Sequence, residues 1–179
     1  MAVARGKLET TDGSQIDAAR IRLGSAGELA IASELMLRGW GVYNQMIPDN
    51  SDPFDIIATK GSKLVRIQVK TTGKLQHGGR MPRYVISCSK RFDGGHTPLT
   101  KKDCDFVVAY IYDRGWILVV PVSCLGAHTF GVFFRKDGKP SGKWVKYLDA
   151  WELLDKKTPT SRSRRGHNER VKYKDSFGV

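Results

Sequence analysis

Hydrophobic residues recur with a helical period across residues 25–38. The apolar positions that define this period are Leu29, Ala32, Leu35 and Met36. Spacings of three and four residues predict a helix with one apolar face, and Gly39 is a typical stop for it. Because Glu28 stands one turn before Ala32, the pattern places its carboxylate on the packed face of the helix. Residues 1–23 are more weakly patterned and are predicted to form an N-terminal extension.

Later segments have the alternating or continuous apolar runs of β-strands. The predicted strands are residues 40–47, 54–59, 63–71, 83–88, 105–112, 116–121 and 130–135. The strands at 105–112 and 116–121 are almost wholly apolar, which favours burial on both faces. Residues 73–82 and 89–102 are predicted to be basic loops, and a capping-box pattern at 149–152 predicts a short closing helix. The sequence therefore predicts an α/β domain with a central mixed sheet flanked by helices.

Polar residues interrupt two neighbouring strands of this predicted sheet. Residues two apart on a strand share a face, so Gln68 and Lys70 project together. A hairpin that turns at residues 60–62 would bring Asp55, near the start of the preceding strand, alongside them. Glu28 would approach the same sheet edge from the helix. Acidic groups and a lysine that converge in this way are typical of a metal-dependent site that hydrolyses phosphodiesters.

Such a site calls for a hard cation with oxygen ligands. Mg²⁺ is usually held by one or two carboxylates, with water and phosphate completing its coordination. We therefore predict Mg²⁺ as the cofactor, with Mn²⁺ able to replace it, and Asp55 and Glu28 as its carboxylate ligands. The amide oxygen of Gln68 and the carbonyl oxygen of Val69 would complete the protein's share. Lys70 would hold or polarise the attacking water and stabilise the charged transition state.

Each of these residues also has a simpler structural explanation. Ser25 and Glu28 match a capping box, in which Glu28 would only tie off the start of the helix. Asp55 could bond to the preceding turn, and a Gln68-x-Lys70 pair is normal on a half-exposed strand. The combination and order of the residues favour the catalytic interpretation over these separate ones.

The charge of the chain indicates a polyanionic partner. Its 179 residues include 30 Lys and Arg against 18 Asp and Glu, a formal net charge of +12. Residues 156–179 hold eight basic and two acidic residues and so carry half of the excess. A basic body with a basic tail is typical of proteins that bind nucleic acid. The candidate DNA-contacting residues are Lys74, His77, Arg80, Lys90, Arg91, Arg162, Arg164 and Arg165.

Other features exclude several classes of protein. No apolar run approaches the roughly 18 residues of a membrane-spanning helix, and residues 1–10 lack the apolar core of a signal peptide. The three cysteines contain no C-x-x-C pair, which argues against a disulfide framework and a structural zinc site. We therefore expect a cytoplasmic, nucleoid-associated protein with reduced thiols and no membrane partner.

The order of the motifs resembles the PD-(D/E)XK nuclease superfamily. The matching runs are Gly27-Glu28, the Pro-x-Asp at 53–55 and the Arg-Ile-Gln-Val-Lys at 66–70. With Gln in place of the usual second acid, they resemble the branch that includes cyanobacterial group I intron homing endonucleases. The resemblance spans residues 24–155 and implies a restriction-endonuclease-like core with active-site residues Glu28, Asp55, Gln68 and Lys70. Archaeal Holliday junction resolvases share the layout, with Glu at the position of Gln68.

These observations predict a nuclease domain at residues 24–155 and a basic, flexible tail at 156–179. The expected activity is metal-dependent, site-specific cleavage of double-stranded DNA. A homodimer or homotetramer is expected, because one active site cuts one strand and symmetric cleavage needs two sites. Gln68 removes one negative charge from the metal site, which leaves open a DNA-binding protein that has lost activity. A four-way junction resolvase is a further alternative, as is a basic regulatory or packaging protein.

Overall fold

The structure is a computed structural model that describes residues 13–44, 53–77, 81–92 and 94–156. Its α-helices are α1 (Gly13–Leu37) and α2 (Glu152–Asp155), and single 3₁₀ turns lie at Val122–Cys124 and Val145–Tyr147. Its strands are β1 (Gly41–Asn44), β2 (Ile56–Lys60), β3 (Lys63–Thr72), β4 (Leu75–Gln76), β5 (Arg83–Ser87), β6 (Ser89–Phe92), β7 (Gly95–Pro98), β8 (Phe106–Ile111), β9 (Trp116–Pro121), β10 (Thr129–Phe134) and β11 (Pro140–Ser141). Most of the predicted N-terminal extension, the end of the first predicted strand and all of the basic tail after Lys156 lie outside the described residues.

Helix α1 is longer than the sequence pattern predicted, since it begins at Gly13 rather than at Ser25. The added segment is rich in residues that favour helix, such as Ala, Arg and Gln, and contains no proline. Ser25 consequently lies inside the helix, so the capping-box explanation of Glu28 is wrong. The helix ends at Leu37, just before the predicted stop at Gly39, whose φ of 77° allows the backbone to leave the last turn.

The buried face of α1 differs from the predicted one. Ile31 and Leu35 are fully buried, whereas Leu29 and Met36 are 67% and 57% exposed. Gly27 packs closely against the side chain of Thr71 in β3, so the helix face that carries Gly27 and Ile31 is the one turned to the sheet. No helix among the described residues is long and apolar enough to cross a membrane.

The central sheet has five strands in the order β1-β2-β3-β8-β9. Strands β3 and β8 are parallel, and the other neighbouring pairs are antiparallel. The prediction of a mixed sheet is therefore confirmed. Strands β8 and β9 are buried along almost their whole length, as their apolar sequences predicted.

The two faces of the central sheet are covered differently. On one face, helices α1 and α2 share a core with the sheet, as Leu35 and Leu154 pack in one cluster with Ile67. On the other face, a four-stranded antiparallel sheet, β11-β10-β5-β4, packs against β8 and β9. The buried Tyr84 of this second sheet donates its hydroxyl hydrogen to Asp113 in the β8–β9 turn. Within the described residues, helices thus flank one face only, and the second sheet was not predicted as a separate layer.

Both predicted basic loops contain strands. Strand β4 lies within residues 73–82, and the hairpin β6–β7 lies within 89–102. Backbone pairing rather than burial defines these short strands. The apolar pattern that marks a buried strand is therefore missing from both segments. The capping box predicted at 149–152 is also wrong: α2 begins after Trp151 with no side-chain cap, and Asp149 has a positive φ of 48°.

Candidate active site

The hairpin of β2 and β3 brings Asp55 beside Gln68, as predicted. Ile56 pairs with Ile67, and the N–H of Asp55 donates to the carbonyl oxygen of Ile67 at 2.9 Å. The Oδ2 atom of Asp55 accepts hydrogen bonds from the N–H of Val69 at 2.6 Å and from Nε2 of Gln68. The carboxylate of Asp55 is therefore held by both the backbone and a side chain of strand β3.

Gln68 and Lys70 share the face of β3 that is turned away from α1. This follows from the alternation along the strand, because Ile67 and Val69 belong to the core on the helix side. Gln68 is buried, Lys70 is half-buried, and Lys70 lies next to Ala109 of β8 in the sheet register. The predicted pair therefore projects from one side of the sheet, beside Asp55.

Glu28 of helix α1 lies within electrostatic range of Asp55 and Lys70. At the preceding residue, Gly27, an added Cβ would lie only 1.7 Å from Oγ1 of Thr71, so the helix crosses β3 in direct contact. The half-buried Glu28 carboxyl interacts electrostatically with both Asp55 and Lys70. The structure thus joins Asp55 to Gln68 by a hydrogen bond and leaves Lys70 and Glu28 within electrostatic range of Asp55.

Burial raises the pKa of both carboxyl groups above their ordinary values. For Asp55, the hydrogen bond from Val69, the charge of Lys70 and the hydrogen bond from Gln68 lower the pKa but do not cancel the effect of burial. For Glu28, the negative charge of Asp55 adds to burial, and Lys70 opposes both. Two acids with raised pKa values beside a single lysine form a site in which a cation would stabilise the ionised carboxylates.

The oxygen atoms available at the site fit a hard divalent cation. The site offers the carboxylates of Glu28 and Asp55, the carbonyl oxygen of Val69 and the amide of Gln68. Nε2 of Gln68 is bonded to Asp55, which leaves the amide oxygen as the end that could face an ion. Among the described residues, no group of three or more His, Cys, Asp or Glu side chains could hold a metal ion. A two-carboxylate, all-oxygen set suits Mg²⁺, which takes most of its remaining ligands from water and phosphate.

The predicted DNA-contacting residues are placed less completely. Lys74 and His77 flank β4 and are exposed. Lys90 of β6 forms an ion pair with Asp103. Arg91 lies on β6, but its side chain falls outside the described part of the chain, as do the whole residues Arg80, Arg162, Arg164 and Arg165. The assignment of these residues to DNA contact stays a prediction.

Two contacts that shape the site were not predicted from the sequence. One is the close approach of Gly27 to Thr71, for which a glycine inside a helix is the available signal. The other involves Arg66, whose N–H and guanidinium bond to the carboxylate of Asp105 at 2.8 and 3.2 Å. Arg66 shares the strand face of Gln68, and that alternation could have identified it as a neighbour of the site.

Comparison with known proteins agrees with this architecture. No match was found among curated proteins. Among solved structures, the chain is similar to one titled "The structure of a bacterial homing endonuclease: I-Ssp6803I", with 20% identity and a TM-score of 0.61 over 74% of this chain and 90% of that chain. This likeness shows that the two proteins share a fold. A profile of the PD-(D/E)XK endonuclease family matches residues 20–154. The chain therefore belongs to the PD-(D/E)XK endonuclease family.

Proposed function

We propose that this protein is a Mg²⁺-dependent endonuclease that hydrolyses double-stranded DNA at specific sites. The observation that carries the proposal is the environment of Asp55. Its carboxylate is held by Val69 and Gln68 at the start of strand β2, and both Lys70 and Glu28 of α1 lie within electrostatic range of it. Family membership supports nuclease activity, and the donor set supports the choice of a hard divalent cation.

Each residue of the site has a separate task in this proposal. A bound divalent cation neutralises charge on the phosphate and lowers the pKa of the attacking water. Asp55 and Glu28 would hold the cation, with the carbonyl oxygen of Val69 and the amide oxygen of Gln68. Gln68 also keeps Asp55 in place through its Nε2 hydrogen bond. Lys70 would orient the attacking water and stabilise the charge that develops on the phosphate oxygens.

Specificity for a duplex site and assembly into an oligomer belong to the same proposal. The solved structure that the chain resembles is titled a homing endonuclease, which favours cleavage of specific duplex sites. Two active sites related by a twofold axis would cut the two strands, so we propose a homodimer or homotetramer. In this arrangement residues 24–155 form the nuclease domain, and the basic segment 156–179 adds affinity for phosphates.

A cleavage assay tests the proposal directly. The wild type and Asp55→Ala would be incubated with long duplex DNA and a synthetic four-way junction, with Mg²⁺, Mn²⁺ or a chelator. Asp137→Ala, which removes an exposed carboxylate from the turn after β10, serves as the matched control. Sequencing of the ends should show recurrent duplex cuts with wild type and control that disappear with Asp55→Ala or the chelator. Lys70→Met should lose cleavage by about 100-fold or more while still binding DNA.

Other outcomes contradict the proposal in distinct ways. Cuts confined to the junction would identify a four-way junction resolvase. Equal DNA binding by wild type and Asp55→Ala, with no cutting under any metal condition and on DNA of high sequence diversity, would identify a binding protein.

A further inference from the structure

Arg66 of strand β3 forms hydrogen bonds to the turn at residues 100–104. The guanidinium of Arg66 donates to three consecutive carbonyl oxygens at 2.9, 2.8 and 3.3 Å, those of Lys101, Lys102 and Asp103. The same guanidinium bonds to the carboxylate of Asp105, and the N–H of Asp105 donates to the carbonyl oxygen of Arg66 at 2.9 Å. The donors of Arg66 are thus directed at this turn and its flanking residue, so its role toward the turn is structural.

A second set of bonds fixes the turn from the inside. Asp103 is buried, and its carboxylate accepts the N–H of Thr100 at 2.8 Å and the Thr100 hydroxyl at 2.7 Å. Lys90 of β6 donates to the other carboxylate oxygen. Burial alone would raise the pKa of Asp103, but these bonds outweigh it and lower the pKa. The turn is therefore a rigid unit bonded to both β3 and β6.

The rigid turn carries two exposed lysines whose side chains form no ion pair within the described residues. Lys101 and Lys102 are both exposed, and neither side chain has an ion-pair partner in the described ranges. The two acids of the segment are already matched, Asp103 by Lys90 and Asp105 by Arg66. The turn consequently carries two positive charges that are free to meet an anion.

The turn lies close to the catalytic residues. Arg66 and Gln68 are two residues apart on one strand face, about 6.8 Å. Burial raises the pKa of Cys104, at the end of the turn, to about 12, and Arg66 and Lys70 both act electrostatically on this thiol. A DNA strand carries one phosphate for about every 3.4 Å along the helix axis. The spacing from Arg66, which holds the turn, to Gln68 is thus about two phosphate steps of a strand.

We propose that the turn at residues 100–104 is a binding site for DNA backbone phosphates beside the scissile bond. In this inference, Lys101 and Lys102 contact the phosphates and Arg66 is a positioning residue that sets their location relative to the active site. The inference rests on the proposed function, because it names the part of the surface that holds the same substrate. Contacts of this kind fix the register of a protein on the duplex and carry no sequence information.

The test measures DNA binding separately from cleavage. The full-length Lys101→Gln/Lys102→Gln variant would be titrated against a fluorescein-labelled duplex in chelator, over a series of salt concentrations. Loss of two phosphate contacts should reduce the slope of log K against log salt by about 1.8, since each contact contributes about 0.9. The matched control is Lys136→Gln/Lys139→Gln, which removes two exposed lysines from the β10–β11 turn and should leave the slope unchanged.

A second variant tests the role of Arg66. Arg66→Lys keeps the charge on β3 but loses the planar fork that holds three carbonyl oxygens. Arg66→Lys should reduce the slope of log K against log salt almost as much as Lys101→Gln/Lys102→Gln does, although both lysines are still present. Combining it with the lysine pair should then add little. A thermal unfolding curve of each variant would check that the protein is folded at the temperature of the titration.

The outcomes separate this inference from the proposed function. An unchanged slope in Lys101→Gln/Lys102→Gln, or an equal loss in the control pair, overturns the inference. If wild type still cuts duplex DNA with Mg²⁺ in that case, the proposed function stands without it. Wild-type binding by Arg66→Lys overturns the positioning role. A wild type that neither binds nor cuts duplex DNA overturns the proposed function and this inference together.

Discussion

Gly27 and Thr71 meet where helix α1 crosses strand β3, and a Cβ on Gly27 would lie 1.7 Å from the Thr71 hydroxyl oxygen. No side chain at position 27 fits without moving the helix or the strand. Glu28 follows directly, so its electrostatic interaction with Asp55 depends on this crossing. The contact therefore links the packing of α1 to the geometry of the candidate active site.

Gly27→Ala should consequently impair both activity and stability. The new methyl group would push α1 away from β3, at a cost of about 1–3 kcal/mol for overpacking. The resulting displacement of Glu28 should reduce cleavage by about 100-fold, as expected for a misplaced catalytic group. The matched control is Gly24→Ala in the same helix, where no atom lies within 4 Å of the added Cβ. That variant should gain up to about 1 kcal/mol in denaturant unfolding and keep its activity.

A second substitution tests whether the crossing itself is responsible. Thr71→Ala removes the nearest oxygen but leaves Cβ at 2.8 Å from the added methyl group. The double variant with Gly27→Ala should therefore recover part of the lost activity, and Thr71→Gly should recover more. If Gly27→Ala cuts DNA as well as Gly24→Ala does, Glu28 is not placed by this contact.

Much of the central sheet could be predicted because its strands are defined by burial. The apolar runs of β8 and β9 and the hairpin of β2 and β3 were located from the sequence alone. The hairpin β6–β7 could not be, because its residues are polar and only backbone pairing defines it. The exposure of Leu29 was also unpredictable, since a 3.6-residue period does not show which face of a helix contacts a sheet most closely.

The same division holds for the candidate site. The positions of Asp55, Gln68 and Lys70 follow from strand alternation and one short turn, which are local properties of the sequence. The bonds from Arg66 to residues 101–103 join segments about 35 positions apart in the sequence, and no pattern encodes such a contact. Local chemistry was therefore predictable, whereas the residues that fix its surroundings were not.

The raised pKa of Asp55 predicts how stability depends on pH without metal. The unfolded chain loses this proton near 3.8, whereas the folded protein keeps it to higher pH. Stability in chelator should therefore fall as the pH rises from below 3.8 through the folded pKa. Asp55→Asn removes this penalty and should be more stable than wild type at neutral pH, with the advantage shrinking in acid. Denaturant midpoints over a pH series measure this, with Asp137→Asn as the control.

The three cysteines should differ sharply in reactivity. Cys88 and Cys104 are fully buried, and burial raises the pKa of each to about 12, whereas Cys124 is exposed. In the native protein, a maleimide should therefore label one thiol quickly, and unfolding in denaturant should reveal all three. Mass spectrometry counts the labels, and Cys124→Ser should abolish the fast label. Rapid labelling of Cys88 would show that the two sheets separate in solution.

Gln68→Glu should make the stability of the protein depend more strongly on a divalent cation. The substitution replaces the amide that donates to Asp55 with a third carboxylate at the site. The carboxylates of Asp55 and position 68 would then face each other with no hydrogen bond between them. In chelator, this should lower the free energy of unfolding by about 1–3 kcal/mol. With Mg²⁺, the added charge should strengthen cation binding, and the unfolding temperature should rise more than in wild type.

The control for this prediction is a glutamine-to-glutamate substitution on the four-stranded sheet. Gln76 of β4 is exposed and should tolerate Gln76→Glu with no change in its response to Mg²⁺. Calorimetric titration with Mg²⁺ then compares the three proteins directly. If wild type and Gln68→Glu gain the same stability from the cation, the side chain at position 68 does not face it. In that case Gln68 acts only through its hydrogen bond to Asp55, and the ion is held by Asp55 and Glu28 without it.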